Sequence, residues 1–170
     1  MDLDERFAKG GEAELEELIK QYSNKLTRYA TTILFNHQDA EDVVQETFFS
    51  AYKNRHRFDG WNLSAWLHKI TYNLCLNKRR KRKLLFFSDI NETPSYTIDF
   101  NVDDFTVEAM SKLKPHERAL LHMRIMDELS YDEISEIVGR SPAALRKQYE
   151  RAKKKVAEYL IEREFKNANS

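Results

Sequence analysis

"SYDEISEIVGRSPAALRKQYERAKKKV", residues 130–156, decides how the rest of the chain is read. Ser130 and Glu133 form a capping box that opens a short helix with Ile134, Ile137 and Val138 inside. Gly139 ends it. Ser141-Pro142 starts a second helix, with Ser as N-cap and Pro at the first position. Leu145, Tyr149, Ala152, Val156 and Leu160 make its buried stripe. A short helix, a glycine turn and a longer helix describe a helix-turn-helix. In this motif the first turns of the second helix meet base edges in the major groove. Arg146, Lys147 and Gln148 lie there: Arg and Lys suit guanine's acceptors, and Gln suits adenine. Arg151, Lys153, Lys154 and Lys155 lie further along and suit phosphates. A solvated basic face on an ordinary helical hairpin is the competing reading.

Working toward the N-terminus, Phe105–Leu113 and Pro115–Met126 read as two more helices. Residues 84–103 lose the helical period, hold Pro94 and scattered acids, and read as a linker. A linker of that length inside one compact domain is unusual, so two domains are expected. Before it, three apolar stripes of helical spacing follow one another. They are Leu15 to Ile33, then Ala40 to Tyr52 with Asp39 as the expected N-cap, then Leu63, Trp66, Leu67, Ile70 and Leu74. Lys69, Tyr72 and Asn73 fall off the third stripe and are free to face a ligand. The third helix runs into six consecutive basic residues, Lys78 to Lys83. Aromatic side chains beside cations make a platform for unpaired bases. Trp61, in the loop before this helix, is the better contact candidate, because Trp66 lies on the buried stripe.

The 170 residues carry zero formal net charge, yet the charges are blocked. Residues 61–83 hold seven bases and no acid, and residues 140–155 hold seven bases and one acid. The stretch between, 84–113, holds six acids and one base. Two positive stations of this kind imply a polyanion touched at two places. Four glycines and three prolines are too few for tightly turned sheets, so the fold class expected is all-α. Cys75 is the lone cysteine, which excludes an internal disulfide and fits a reducing, cytoplasmic setting. No basic start with an apolar run marks a signal peptide, and no stretch is apolar enough to span a bilayer.

"DAEDVVQETFFSAYKN" (39–54) followed by "FDGWNLSAWLHKITYNLCLNKRRKRK" (58–83) resembles conserved region 2 of the extracytoplasmic-function (ECF) group of bacterial sigma-70 factors. "LKPHERALLHMRIMDELSYDEISEIVGRSPAALRKQYERAKKKVAEYL" (113–160) resembles region 4 of the same group. The resemblance implies two helical domains: region 2 over 1–83, a linker over 84–103, and a region 4 helix-turn-helix over 104–170. It implies a dissociable subunit that directs RNA polymerase to promoters. Asp39, Asp42, Gln45, Glu46 and Phe49 become candidate contacts to the clamp helices of the largest core subunit, with the flap of the second-largest subunit as a further core partner. For the minus-ten element the candidates are Phe58, Trp61, Asn62 and Leu63 of the loop with Lys69, Asn73, Lys78, Arg79 and Arg80 of the helix. For the minus-thirty-five element they are Ser141, Arg146, Lys147, Gln148, Arg151 and Lys154. The family often carries small polar residues where this chain has Arg146, Lys147 and Gln148, and a basic one where it has Glu150. An anti-sigma protein is a further partner the resemblance implies.

Twenty linker residues span at most about 65 Å extended and roughly 25 Å as a coil. One turn of DNA is about 34 Å. The linker permits engagement of sites over a turn apart without imposing that spacing. The rival reading is a stand-alone helix-turn-helix regulator, and a third is an RNA-binding helical protein. An enzyme fits least: the five His show no metal-ligand spacing and no glycine-rich phosphate loop exists, so no metal or cofactor is expected.

Overall fold

The computed structural model describes residues 2–86 and 104–170. Among these the chain forms α-helices and one 3-10 turn at Arg55–Arg57, and no strand. The N-terminal helices are α1 (Leu3–Phe7), α2 (Glu12–Leu34), α3 (His37–Lys53) and α4 (Leu63–Phe86). The C-terminal ones are α5 (Asp104–Ser111), α6 (Pro115–Ile125), α7 (Tyr131–Val138) and α8 (Pro142–Ala168). Residues 87–103 of the expected linker lie outside the described residues. Leu84 and Leu85, counted with that linker in sequence, continue α4 with exposed side chains.

The predicted stripes are the buried ones. Leu18, Leu26, Tyr29 and Ile33 of α2 meet Ala40, Val43, Val44 and Phe48 of α3 and Leu63 and Leu67 of α4. The turn from α2 to α3 is tight because Phe35 takes the left-handed conformation, φ 49°, and returns its N–H to Thr31 O at 2.8 Å. The expected N-cap of α3 is corrected here. Asn36, not Asp39, caps it, its side chain accepting the Asp39 N–H at 2.9 Å. The helix starts three residues early, which turns the Asp39 carboxylate toward α4. α1 was not expected, since five residues are too few to show a period. It buries Leu3 and Phe7 and accepts the Leu63 N–H on Asp4 Oδ2 at 2.9 Å. The caps at Ser130, Gly139 (φ 73°) and Ser141 are those read from the sequence.

The two sets of helices meet: α6 packs on α2 and α7 on α4, and the buried apolar cluster runs without a break from Leu3 to Leu145. The contact is partly polar. The fully buried Arg118 of α6 donates from Nε to Thr32 O at 2.9 Å, from Nη1 to Leu113 O at 2.6 Å and from Nη2 to Ile33 O. Its guanidinium lies 4.4 Å from the Phe35 ring centroid. Thr32 and Ile33 are in the last turn of α2, where carbonyls lack helical partners and the dipole is negative. Nearby, His68 donates from Nδ1 to Ser64 O at 2.7 Å, and its Nε2 is 3.0 Å from Asp127 Oδ2. His122 Nδ1 is 3.0 Å from Thr32 Oγ1. Burial opposes ionisation of Asp127, yet His68 and His122 hold its carboxyl below the usual range.

Burial pushes His122 down to about 4; Asp127 opposes that shift, while His68, Lys25 and Arg28 add to it. The unfolded chain takes up this proton near the ordinary value of about 6.5, so it binds more protons than the folded one between the two values. Stability is therefore expected to fall as pH drops from about 6.5 to about 4. In urea titrations across that range, His122→Gln should show a shallower pH slope than the natural protein.

Candidate functional site

Three surfaces carry the side chains singled out in the sequence. The first is the outer face of α3. Asp42, Gln45 and Glu46 are exposed, and Phe49 is 68% exposed while the adjacent Phe48 is buried. Beside Phe49 lies Ile19 of α2, the two rimming a shallow hollow floored by Val44 and Phe48. Phe49 and Ile19 together make an exposed apolar patch rimmed by carboxylates, a candidate surface for a protein partner. Asp39 stands apart from this face. It pairs with Arg82 at 2.8 Å and Lys78 at 3.5 Å, and Lys78 also reaches Asp42 at 3.2 Å. Part of the basic run is thus joined to part of the acidic face.

The second surface is the loop before α4. Asp59 Oδ1 accepts the Trp61 N–H at 3.0 Å, and Gly60 turns the chain with φ 86°. Asn62, left-handed at φ 52°, accepts the Ala65 N–H on its Oδ1 at 3.0 Å and so caps α4. Trp61 is thrown outward, 79% exposed. Behind it opens a hollow floored by Phe58 and Trp66, whose ring centroids are 5.2 Å apart, with Lys69 on its wall. Stacked aromatics beside a cation are the elements of a platform for an unpaired base. Two expected contacts are corrected. Leu63 is wholly buried in the core and offers no surface. Tyr72 is half-buried against the core rather than facing outward. Phe58 is also buried and acts as floor. Asn73 is exposed one turn beyond Lys69, and Arg80 is exposed with its guanidinium on Asn77 Oδ1 at 2.9 Å. Arg79 is half-buried.

The third surface is the start of α8. Arg146, Lys147, Arg151 and Lys154 are exposed, Gln148 is half-buried, and the Ser141 hydroxyl accepts the Ala144 N–H at 3.2 Å. The Arg146 guanidinium lies 5.1 Å from the Tyr131 ring centroid. The sequence reading missed three members of this surface. Lys114, His116 and Arg140 come from the starts of α6 and α8 to face Lys147 and Arg151 across one basic groove. A cation next to the proline that opens a helix was the available signal. Burial pushes His116 below its ordinary value, and the cations Arg140, Lys114 and Lys155 add to the shift. Lys155 is braced at 2.7 Å by the buried Glu117, which also accepts the Lys114 N–H.

Comparison with known proteins assigns the family. The Sigma-70 region 2 model matches residues 18–84 and the Sigma-70 region 4 model matches residues 106–156. The chain belongs to the sigma-70 family, in its ECF group, and is an RNA polymerase sigma factor serving transcription initiation at promoters. It is 27% identical to the ECF sigma factor SigE of Mycolicibacterium smegmatis over 91% of this chain, spanning 65% of that protein. It is 25% identical to the ECF sigma factor SigM of Bacillus subtilis, over 84% of this chain and 92% of that one. Two solved structures share the fold. One is RpoE of Bartonella quintana in complex with the anti-sigma factor NepR (TM-score 0.76, 23% identity, 86% of this chain and 96% of that one). The other is CnrH in complex with the cytosolic domain of CnrY (TM-score 0.71, 20% identity, 94% and 95%). The match to region 2 favours this assignment over a stand-alone regulator, which needs only the helix-turn-helix. Among the described residues, no helix is long and apolar enough to cross a membrane.

If the third surface binds duplex phosphates, the Arg140→Ala and Arg151→Ala variants should each flatten the plot of log affinity against log salt by about one unit. Lys166→Ala, at the far end of α8, should leave that slope unchanged in the same anisotropy titration.

Proposed function

We propose that the three surfaces divide the work of promoter opening. The α3 face, through Phe49, Gln45, Glu46 and Asp42, docks on core polymerase. The 58–62 loop and α4 take up the minus-ten element: an unpaired base enters over Phe58 and Trp66, Trp61 stacks from outside, and Lys69, Asn73 and Arg80 follow the strand. The start of α8 reads the minus-thirty-five element with Arg146, Lys147 and Gln148, and Lys114, Arg140, Arg151 and Lys154 hold the backbone. Asp39, Lys78 and Arg82 brace α3 against α4 rather than contact a partner. The protein performs no chemistry of its own and works in the cytoplasm, where polymerase and promoter are. An anti-sigma factor is a further partner, as for RpoE.

The observation that carries this reading is the aromatic-floored hollow beneath an exposed Trp at the head of a basic helix. Extruding a base costs a few kcal/mol, and a stacking pocket is what offsets it. A chain that docks on core and presents such a pocket can begin melting.

The test is retention on core polymerase followed by run-off transcription from candidate promoters. Core should be retained and initiation should depend on this chain; duplex binding without core retention would return the regulator reading. Trp61→Ala should lower open-complex formation roughly 5- to 150-fold, the worth of one stacked base, with core affinity unchanged. Phe49→Ala should do the reverse, weakening core binding by about tenfold or more, as for an interface anchor.

A further inference from the structure

Helix α1 (Leu3–Phe7) lies ahead of the region 2 match, which begins at residue 18. Five residues are too few to hold a helix by themselves. This one is held by its neighbours, chiefly the minus-ten loop and the head of α4. Asp2 accepts the Leu3 N–H at 2.6 Å and starts the helix. Asp4 Oδ2 then accepts the Leu63 N–H at 2.9 Å, across 59 positions of sequence. Leu63 is the first residue of α4, so the carboxylate meets an open N–H at the positive end of that helix. Asn62 Oδ1 serves Ala65 at 3.0 Å, and the two side chains together answer two of the helix's four open donors.

The other end of the loop is tied to the same segment. Arg55, in the 3-10 turn before Phe58, donates from Nε to Gly10 O at 2.8 Å and from Nη1 to Tyr52 O at 2.8 Å. Arg6 fixes α1 to α2 through Glu17 at 2.8 Å and Glu14 at 3.7 Å. Between these ties Phe7, wholly buried, sets its ring centroid 6.3 Å from that of Trp66, edge-on at 62°. Trp66 is in turn 5.2 Å from Phe58. The floor of the hollow therefore rests on Phe7. The loop also carries Asn62 in its left-handed conformation, φ 52°. A residue other than glycine stays there only where its surroundings over-determine it. The Asp4 bond to the very next residue is one such constraint.

We propose that residues 2–10 are the positioning element of the minus-ten hollow: Asp4 and Phe7 touch no DNA but fix the loop and the Trp66 ring over which an unpaired base is captured. A site that captures a base has to be shaped before the base arrives, and supporting contacts that lock its side chains give it that shape. Neither Asp4 nor Phe7 lines the hollow itself. No residue assigned to core docking or to the minus-thirty-five groove takes part in these contacts, so α1 governs strand capture separately from both. The inference rests on the minus-ten reading proposed above. It goes further in assigning base capture to side chains outside the hollow and outside the family match.

The experiment uses the full-length protein with core polymerase and a promoter selected by the run-off test above, in two forms: fully duplex, and pre-opened by a mismatched bubble over the minus-ten element. Asp4→Ala and Phe7→Leu should each slow open-complex formation on the duplex by roughly 2- to 30-fold, the span of a lost helix cap or ring contact. The defect should be smaller on the bubble, where the base is already unpaired. Affinity for core and for a duplex minus-thirty-five fragment should stay as in the natural protein. Asp4→Asn keeps an acceptor oxygen and should open promoters normally, as should Glu5→Ala on the exposed side of α1. The chain has two Trp, so in a Trp61→Phe background Trp66 emits alone. Acrylamide should quench that emission more strongly once Asp4→Ala or Phe7→Leu is added. Equal losses of opening and of core affinity would make α1 a mere part of the folding core and overturn the proposal. So would natural rates of opening in both variants, or an Asp4→Asn protein as defective as Asp4→Ala. That last pair decides the matter if Phe7→Leu loses helix content by circular dichroism. Failure of the minus-ten reading itself shows separately, as a Trp61→Ala protein that opens the duplex promoter at the natural rate.

Discussion

The C-terminal end of α2 cannot complete its own hydrogen bonding, and much of the arrangement follows from that. A helix leaves its last carbonyls without internal donors, and in the middle of a protein water is not there to serve them. Phe35 closes the helix in a left-handed turn and satisfies Thr31, but Thr32 and Ile33 still need donors. Arg118 brings them from 85 residues away in sequence. A buried guanidinium is tolerable only when its charge and its N–H groups are answered. Three carbonyls, a dipole end and the face of Phe35 answer it here. The position of α6 against α2 is set by this exchange, and with it the positions of α7 and α8.

The same economy of charge runs through the recognition surfaces. A chain of zero net charge keeps its basic residues local, so that attraction to nucleic acid acts at chosen points. Within region 2 the Asp39 carboxylate holds Lys78 and Arg82, leaving Arg80, Lys81 and Lys83 on the exposed side of the run. In region 4 the buried Glu117 does the same for Lys155. Acids thus serve two purposes: some stand exposed on the outer face of α3, and others hold cations against the body of the fold.

Much of this could be read before any coordinates. The caps at Ser130, Gly139 and Ser141 are local devices with fixed residue preferences, so the helix-turn-helix was visible in a dozen residues. The apolar stripes gave α2, α3 and α4 because a 3.6-residue period survives in one dimension. Phe49 stood out because it lies beside its helix's stripe, and it is exposed. What misled were signals with two local solutions. Asn36 and Asp39 are both good caps three residues apart, and only the Phe35 turn selects between them. Leu63 carried two readings, a place on the buried stripe and a loop contact, and the core decides for the first.

The linear order of residues determined the all-α class, the apolar stripes of the main helices and the caps of the helix-turn-helix, because these depend on contacts within one or two helical turns. It also carried the family, through two motifs in fixed order. Only the tertiary structure decided that Lys114, His116 and Arg140 join the α8 groove, that Phe58 and Trp66 pave one hollow, and that region 4 lies on region 2. Those facts join residues on different elements of the fold. Such pairings are chosen by burial and by unsatisfied hydrogen bonds, which have no period in the chain and no spacing to read.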